Sequence, residues 1–209
     1  MSSSIERVGV VGAGQMGSGI AEVAAKAGAD VVVFEPTEAL LGAGRDRITG
    51  SLERAASRGK LSEADRDATL ARFSFTTNLA DLSDRQLVIE AVVEDETVKG
   101  KIFAQLDELI TDPDAVLASN TSSIPIMRIA AATKNPSRVL GLHFFNPAPV
   151  MKLVELVTHP KASKAALSLA EDLTTAAGKT VIRCADTPGF IVNRCARPFY
   201  GEALAMVAE

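Results

Sequence analysis

Apolar positions along the chain fall into short β-branched runs, separated by longer stretches of helical period. Val8, Val10 and Val11 make the first run and Val31–Phe34 the second. Runs this continuous mark strands buried on both faces. Between them, Gln15 to Ala27 has helical composition, and Gly28 stands where a helix stop is expected. Thr37 is a candidate N-cap, with Leu40 and Leu41 behind it, for a helix running to about Gly59. Ser62, with Asp65 three residues on, forms a loose capping box for a second helix. Phe73–Thr76 and Leu87–Val93 read as strands, the latter apolar throughout apart from Glu90. Glu96–Ile110 is helical, with Val98, Ile102, Leu106 and Leu109 on one face. Further strands are predicted at Ala115–Ala118, Val139–Leu142, Leu153–Val157 and Thr180–Ile182. Pro125 opens a helix between the first two of these. Ser163 to Ala177, closed by Gly178, is a helix between the last two. Pro188 is expected to begin a final helix running to the end of the chain.

This alternation predicts an α/β fold with a doubly wound, mostly parallel, Rossmann-type sheet. The two helices over residues 37–72, with no strand between them, form a helical-hairpin insertion. The expected boundary is Ala185–Gly189. Residues 1–185 then form one domain, and 186–209 begin an all-helical second domain that the chain does not contain in full.

The turn after the first strand is spaced G-x-G-x-x-G, through Gly12, Gly14 and Gly17. Gly12 allows the tight turn, Gly14 lets a pyrophosphate approach the backbone, and Gly17 lets the following helix pack on the sheet. The second strand ends in Glu35, placed to accept hydrogen bonds from ribose hydroxyls. A carboxylate there repels a 2′-phosphate, so NAD is favoured over NADP. Context makes the glycine pattern specific: it follows a strand, opens a helix, and precedes a strand ending in an acid.

With 47% hydrophobic and 23% charged residues, the chain can build a sizeable core. A net charge of −4 with no basic block argues against duplex nucleic acid as a partner. No apolar run approaches a membrane span, and Met1–Arg7 carries no secretory core. The two cysteines, Cys184 and Cys195, are not in a C-x-x-C pattern. A reduced, cytoplasmic pair with no metal site is the expectation. The insertion carries Arg45, Arg47, Arg54, Arg58 and Lys60. Composition alone favours a solvated hairpin; the functional reading is an arm holding an anionic group such as a nucleotide phosphate.

Ligands of such a sheet bind beyond the carboxyl ends of its strands. The polar residues there are the 12–17 loop, Glu35, Glu94 with Lys99, Asn120 with Ser122, and His143 with Asn146. Glu155 joins them from within the next strand. A histidine in H-F-F-N-P can meet a bound nicotinamide, with Phe144 and Phe145 excluding water. A carboxylate twelve residues on can hold its imidazole in one tautomer.

Beyond the glycine turn, V-G-A-G-Q-M-G at 11–17, five segments carry a resemblance: V-I-E-A-V-V-E at 88–94, A-S-N-T-S-S at 118–123, G-L-H-F-F-N-P at 141–147, M-K-L-V-E-L-V at 151–157 and D-T-P-G-F-I-V-N-R at 186–194. The chain resembles the NAD-dependent 3-hydroxyacyl-CoA dehydrogenases, including the 3-hydroxybutyryl-CoA type, across essentially all its length. The resemblance implies oxidation of a (3S)-3-hydroxyacyl-CoA to the 3-oxoacyl-CoA in short-chain acyl-CoA metabolism or β-oxidation. It implies His143 as general base, Glu155 as its partner, and Ser122 and Asn193 at the substrate oxygens. Gly12, Ala13, Gly14, Gln15, Met16, Gly17, Glu35, Glu94, Lys99, Asn120, Ser122 and Asn146 would hold NAD. Ser51 and Arg58, with Ser122, would hold the CoA substrate, although the family often has lysine where this chain has Arg58. That implication turns the charged insertion into a CoA clamp. It also implies a homodimer for the full-length protein, with the acyl-lining residues largely in the second domain. The terminal R-P-F-Y-G-E-A-L at 197–204 is similar to members acting on functionalised acyl groups such as 3-hydroxyadipyl-CoA. Two other readings stay open: a dehydrogenase of a small free 3-hydroxy acid, which needs no CoA-facing insertion, and a non-catalytic NAD-binding protein.

Overall fold

The computed structural model describes residues 5–208. The expectation for the first residues of the chain therefore lies, for 1–4, outside the described part. Eight strands form a single sheet in the order β3-β2-β1-β4-β5-β6-β7-β8. The strands are β1 (Arg7–Val11), β2 (Asp30–Phe34), β3 (Phe73–Thr76), β4 (Leu87–Glu90), β5 (Val116–Ser119), β6 (Val139–Phe144), β7 (Leu153–Thr158) and β8 (Thr180–Ala185). Strands β1 to β6 run parallel; β7 is antiparallel to β6, and β8 is parallel to β7. The chain steps from β1 outward to β2 and β3, then returns to the other side of β1 as β4. This reversal opens a crevice beyond the carboxyl ends of β1 and β4.

Among the described residues seven α-helices accompany the strands, the last following β8: α1 (Gln15–Lys26), α2 (Glu38–Ser57), α3 (Glu63–Leu70), α4 (Glu96–Leu109), α5 (Ile126–Ala130), α6 (Lys164–Ala176) and α7 (Val192–Ala208). Local signals set most of their ends. Thr37, Ser62 and Ser163 each accept a backbone N–H of their helix's first turn. Gly28, Gly59 and Gly178 follow helix ends with φ of +98°, +65° and +72°, the left-handed conformation that glycine adopts without a steric cost. Two apolar layers flank the sheet, one built on Val8, Val10, Ile20, Val31 and Leu140, the other on Val11, Phe103, Leu106, Leu117 and Ile129.

Three expectations are corrected. The run Leu87–Val93 is a strand only to Glu90; Val93 is 67% exposed. The strand stops because the Glu90 carboxylate accepts the Val92 N–H and turns the backbone away from the sheet. The fully buried residues of α4 are Lys99, Phe103 and Leu106; of the expected face Leu106 is buried and Ile102 and Leu109 pack half-buried against the core, but Val98 is exposed. Val98 and Ile102 also line a pocket above β1 and β2. Finally, the last helix begins at Val192 rather than Pro188. Gly189 (φ 76°) and Phe190 (φ 50°) adopt left-handed conformations, so the chain turns before it can wind a helix. Phe190 belongs to the core at 2% exposure, whereas α7 buries none of its residues. The large apolar residues Phe199, Tyr200, Leu204, Met206 and Val207 of α7 are all exposed.

Candidate active site

The glycine turn is built as its spacing requires. A Cβ at Gly17 would lie 1.7 Å from the Gly12 carbonyl oxygen, so α1 could not sit this close to the turn with any other residue. Gly12 has φ +96°. At Gly14 nothing lies within 4 Å of the Cβ position, so the backbone faces open space. Gly14 is also the N-cap of α1 and provides no side-chain cap. The first N–H groups of that helix therefore remain for an anionic ligand. Ala13 is packed rather than exposed: its N–H donates to Glu35 Oε1 at 2.5 Å, and its carbonyl accepts from Ser18 Oγ and Arg47 Nη1.

Two pockets meet over this turn and share Gly14 and Ala91–Val93. One, of about 500 Å³, runs past Phe34, Glu35, Pro36 and Leu40 to Val98 and Ile102. Its apolar walls and single carboxylate suit an adenosine. The other, of about 670 Å³, contains Gln15, Met16, Glu94, Lys99, Asn120, Ser122, His143, Asn146 and Asn193. The two adjoin at the open Gly14 backbone. Their residues fit a dinucleotide with its adenosine on the β2 side and its reactive ring beside β6.

At the floor of the larger pocket His143, on β6, stands directly opposite Glu155, on antiparallel β7. His143 Nδ1 lies 2.7 Å from Glu155 Oε2. Glu155 is fully buried and its Oε1 accepts the Ile191 and Val192 N–H groups, both at 2.9 Å. A carboxylate only accepts; the pairing therefore puts the imidazole hydrogen on Nδ1 and leaves Nε2 with its lone pair toward the pocket. The ring is held between Phe145, at 4.6 Å, and Phe190, at 5.7 Å. Phe144, expected to screen this ring, packs into the core on the other face of the strand. The aromatic rings against the imidazole are Phe145 and Phe190.

A second polar network fixes the opposite wall. Glu90, fully buried, accepts from Lys99 Nζ at 2.6 Å and from Ser119 Oγ at 2.7 Å. Lys99, 1% exposed, also lies 3.3 Å from Glu94. Burial pushes the Glu94 carboxyl up, but the Thr121 hydroxyl, the Lys99 charge, the Ser122 N–H and the Ser123 hydroxyl outweigh it and hold the group below its ordinary value. Glu94 thereby clamps the loop that carries Ser122. Asn193 Nδ2 approaches the Ser122 carbonyl at 3.5 Å, and Asn120 Oδ1 accepts the Phe144 N–H at 2.9 Å. The sequence reading passed over Glu90, Ser119 and Thr121. A lone acid in an apolar run was the available signal. It also missed Arg197, which lines the pocket one turn after Asn193.

A third cleft, of about 480 Å³, lies between α1, α2 and the loop 146–150. Gln15 and Asn146 line both this cleft and the larger pocket, and Gln15 Nε2 donates to Asn146 Oδ1 at 3.1 Å. Ser51 lies on its α2 wall, with Arg47 and Arg54. Arg58 follows one turn beyond Arg54 on the same stripe, exposed and outside the cleft wall. Arg45 stacks on the Phe75 ring at 4.7 Å, so not all of the arm's cations face a ligand. Among the described residues no cluster of His, Cys, Asp or Glu could hold a metal ion.

The family profile described as "3-hydroxyacyl-CoA dehydrogenase, NAD binding domain" matches residues 7–187. A 3-hydroxybutyryl-CoA dehydrogenase of Mycobacterium tuberculosis is 64% identical over 208 residues, covering 99% of this chain and 73% of the relative. A 3-hydroxyadipyl-CoA dehydrogenase of Escherichia coli is 46% identical over 209 residues, 44% of its own length. The crystal structure of M. tuberculosis FadB2 superposes with a TM-score of 0.96 at 63% identity, covering 99% of this chain and 73% of that one.

Proposed function

From the premise that this chain belongs to the NAD-dependent 3-hydroxyacyl-CoA dehydrogenase family, we propose that His143 is its general base and that a short-chain (3S)-3-hydroxyacyl-CoA is its substrate. The observation that carries this reading is the His143–Glu155 pair, buried at the pocket where the dinucleotide and CoA clefts meet. His143 Nε2 takes the proton of the 3-hydroxyl as the alcohol is oxidised. Glu155 holds the ring and stabilises the imidazolium that forms. Bound NAD supplies the hydride acceptor. Ser122 and Asn193 provide hydrogen-bond donors for the oxygens whose charge changes during the reaction. Gly14, Gln15, Met16, Glu94, Lys99, Asn120 and Asn146 border the cofactor, and Glu35 meets the adenine ribose. Ser51 and the α2 arginines hold the CoA nucleotide. The third cleft favours a CoA thioester over a free hydroxy acid, because a small acid would leave it without a role.

The division of the chain into an NAD-binding domain over 1–185 and a helical continuation from 186 is supported by α7, none of whose residues is fully buried, although Val192 and Asn193 at its start bond Glu155 and Ser122. Its exposed Phe199, Tyr200 and Leu204 support a homodimer. A cytoplasmic location agrees with two free cysteines. Burial, with Glu155 and Asp186 nearby, pushes the Cys184 thiol up to about 11, which keeps it unreactive. No helix among the described residues is long and apolar enough to cross a membrane.

The test is turnover of 3-hydroxybutyryl-CoA against free 3-hydroxybutyrate, in the wild type and in His143→Gln. The thioester should be strongly preferred, and the variant should lose about 10²–10⁴ in kcat with NAD affinity little changed. Near wild-type turnover by His143→Gln would remove the assignment of the base.

A further inference from the structure

The cleft between α1 and α2 contains a buried group that the proposed chemistry does not use. Glu22, on α1, is 1% exposed yet forms part of the cleft wall. Its Oε1 pairs with Lys26 Nζ at 2.5 Å. Its Oε2 has no hydrogen-bond partner, alone among the buried side-chain nitrogens and oxygens of the described residues. Buried polar atoms are almost always paired, and a carboxylate oxygen left without a donor is costly. The neighbouring Lys179 does not supply one, because its ammonium donates to the Ala148 and Met151 carbonyls. An orphaned acceptor beside a cleft points to a donor brought by a ligand.

The layout says which part of the ligand. Gln15, Ser18, Gly19 and Glu22 form one stripe of α1 along the cleft. Gln15 stands at the junction with the His143 pocket, and Glu22 lies seven residues farther, roughly 10 Å along the helix axis. The opposite side carries Arg47, Ser51 and Arg54. An acyl-CoA with its thioester at His143 must pass Gln15 and Asn146 and run along this stripe. Glu22 Oε2 can only accept, so the group that meets it must be a donor and not a phosphate oxygen; the arginines across the cleft suit the phosphates. The pantetheine arm between thioester and nucleotide has amide N–H groups and a hydroxyl, and those are neutral donors.

We propose, resting on the acyl-CoA dehydrogenase reading, that Glu22 is a specificity-determining residue which accepts a hydrogen bond from the pantoyl part of the pantetheine arm. It acts on binding, far from C3. The variants are Glu22→Ala and the volume-conserving Glu22→Gln, which guards against a folding defect. Glu22→Ala should raise KM for 3-hydroxybutyryl-CoA by about 10-fold or more, the loss of one hydrogen bond to a charged group, with kcat and KM for NAD unchanged. Glu22→Gln should show a smaller increase. The same increase should appear with the S-acyl-pantetheine, which lacks the nucleotide. It should vanish with the S-acyl-N-acetylcysteamine, which lacks the pantoyl unit. Equal losses on all three thioesters would make Glu22 merely structural and overturn the proposal. A loss on acyl-CoA but not on acyl-pantetheine would overturn it too, by placing the donor on the nucleotide. Absence of wild-type turnover would count against the dehydrogenase reading instead. Calorimetric titration with CoA would then decide Glu22 alone: unchanged affinity in Glu22→Ala refutes its role.

Discussion

Replacing Glu155 separates two tasks that its two oxygens perform. Oε2 faces His143 Nδ1, and Oε1 accepts the Ile191 and Val192 N–H groups that lead into α7. Glu155→Gln can keep an oxygen toward the two backbone donors while turning its amide toward His143. An amide N–H there forces Nδ1 to accept, moves the imidazole hydrogen to Nε2, and removes the lone pair facing the pocket. Stability should change little, since only the histidine bond is altered, about 1 kcal/mol. The kcat should nevertheless fall about 10²-fold, toward the low end of what a positioned base contributes and less than in His143→Gln. Glu155→Ala removes all three bonds. Ile191 is 40% exposed, so water can replace part of the loss at the turn. With about 1 kcal/mol for each backbone donor and about 1.5 for the histidine, the expected loss is ~3–4 kcal/mol. Urea unfolding and steady-state turnover on the same preparations provide the check. If Gln and Ala prove equally destabilising, the turn into α7 does not depend on Oε1. If Gln retains wild-type kcat, the tautomer argument fails.

Glu35 should make NAD bind at least 10-fold more tightly than NADP, a discrimination of about 1.4 kcal/mol, and Glu35→Ala should narrow the gap; comparable dissociation constants for the wild type by calorimetry would contradict this. Arg54→Ala should raise KM for acyl-CoA about 5-fold, the scale of one solvent-exposed charge contact, and more than Arg58→Ala, because Arg54 alone lines the cleft; the reverse order would return the phosphate contact to Arg58. Asp107 pairs with Arg138 Nη2 at 2.8 Å in a site where both side chains are nearly buried. Burial pushes its carboxyl up, but the Arg138 hydrogen bonds and charge and the Lys134 N–H prevail and hold it below the ordinary 3.8. A depressed folded value means that this stabilisation is complete above about pH 4 and is lost as pH falls through the lower, folded value. Asp107→Asn should cost about 3–5 kcal/mol at neutral pH and flatten the acid limb of a urea-midpoint profile; an unchanged limb would show that other carboxylates govern acid unfolding.

What the sequence made legible is what short-range chemistry decides. Thr37, Ser62 and Ser163 cap the helices they precede, and Gly28, Gly59 and Gly178 follow helix ends in left-handed conformations. These depend on neighbours within four residues. The central strands β1, β4, β5 and β6 could be read because both their faces are buried. The misplaced face of α4 has a different origin. Apolar period placed Val98 and Ile102 on the inward face and did not include Lys99 in it, yet Lys99 is buried. It can be so because Glu90, nine residues earlier at the end of β4, meets it at 2.6 Å. A hydropathy pattern counts a lysine as solvent-facing; only the tertiary partner reverses that. The same helix carries Val98 on a pocket wall rather than in the core, while Ile102 lines that pocket and also packs on the core.

The late start of α7 follows the same logic and bears on catalysis. Pro188 is a sound first-turn residue, and nothing local forbids a helix from it. Glu155 intervenes from a strand 36 residues away, taking the Ile191 and Val192 N–H groups that a helix begun at Pro188 would have bonded internally. The turn this imposes brings Phe190 against the His143 ring and leaves Asn193 beside the Ser122 carbonyl. Glu155 can reach both partners only because β7 runs antiparallel to β6, which sets residue 155 opposite residue 143 in the register. A parallel β7 would have required a crossover connection, and the eight residues between Phe144 and Leu153 are too few for one. The reversal of one strand therefore pairs His143 with its carboxylate and positions the entrance to α7.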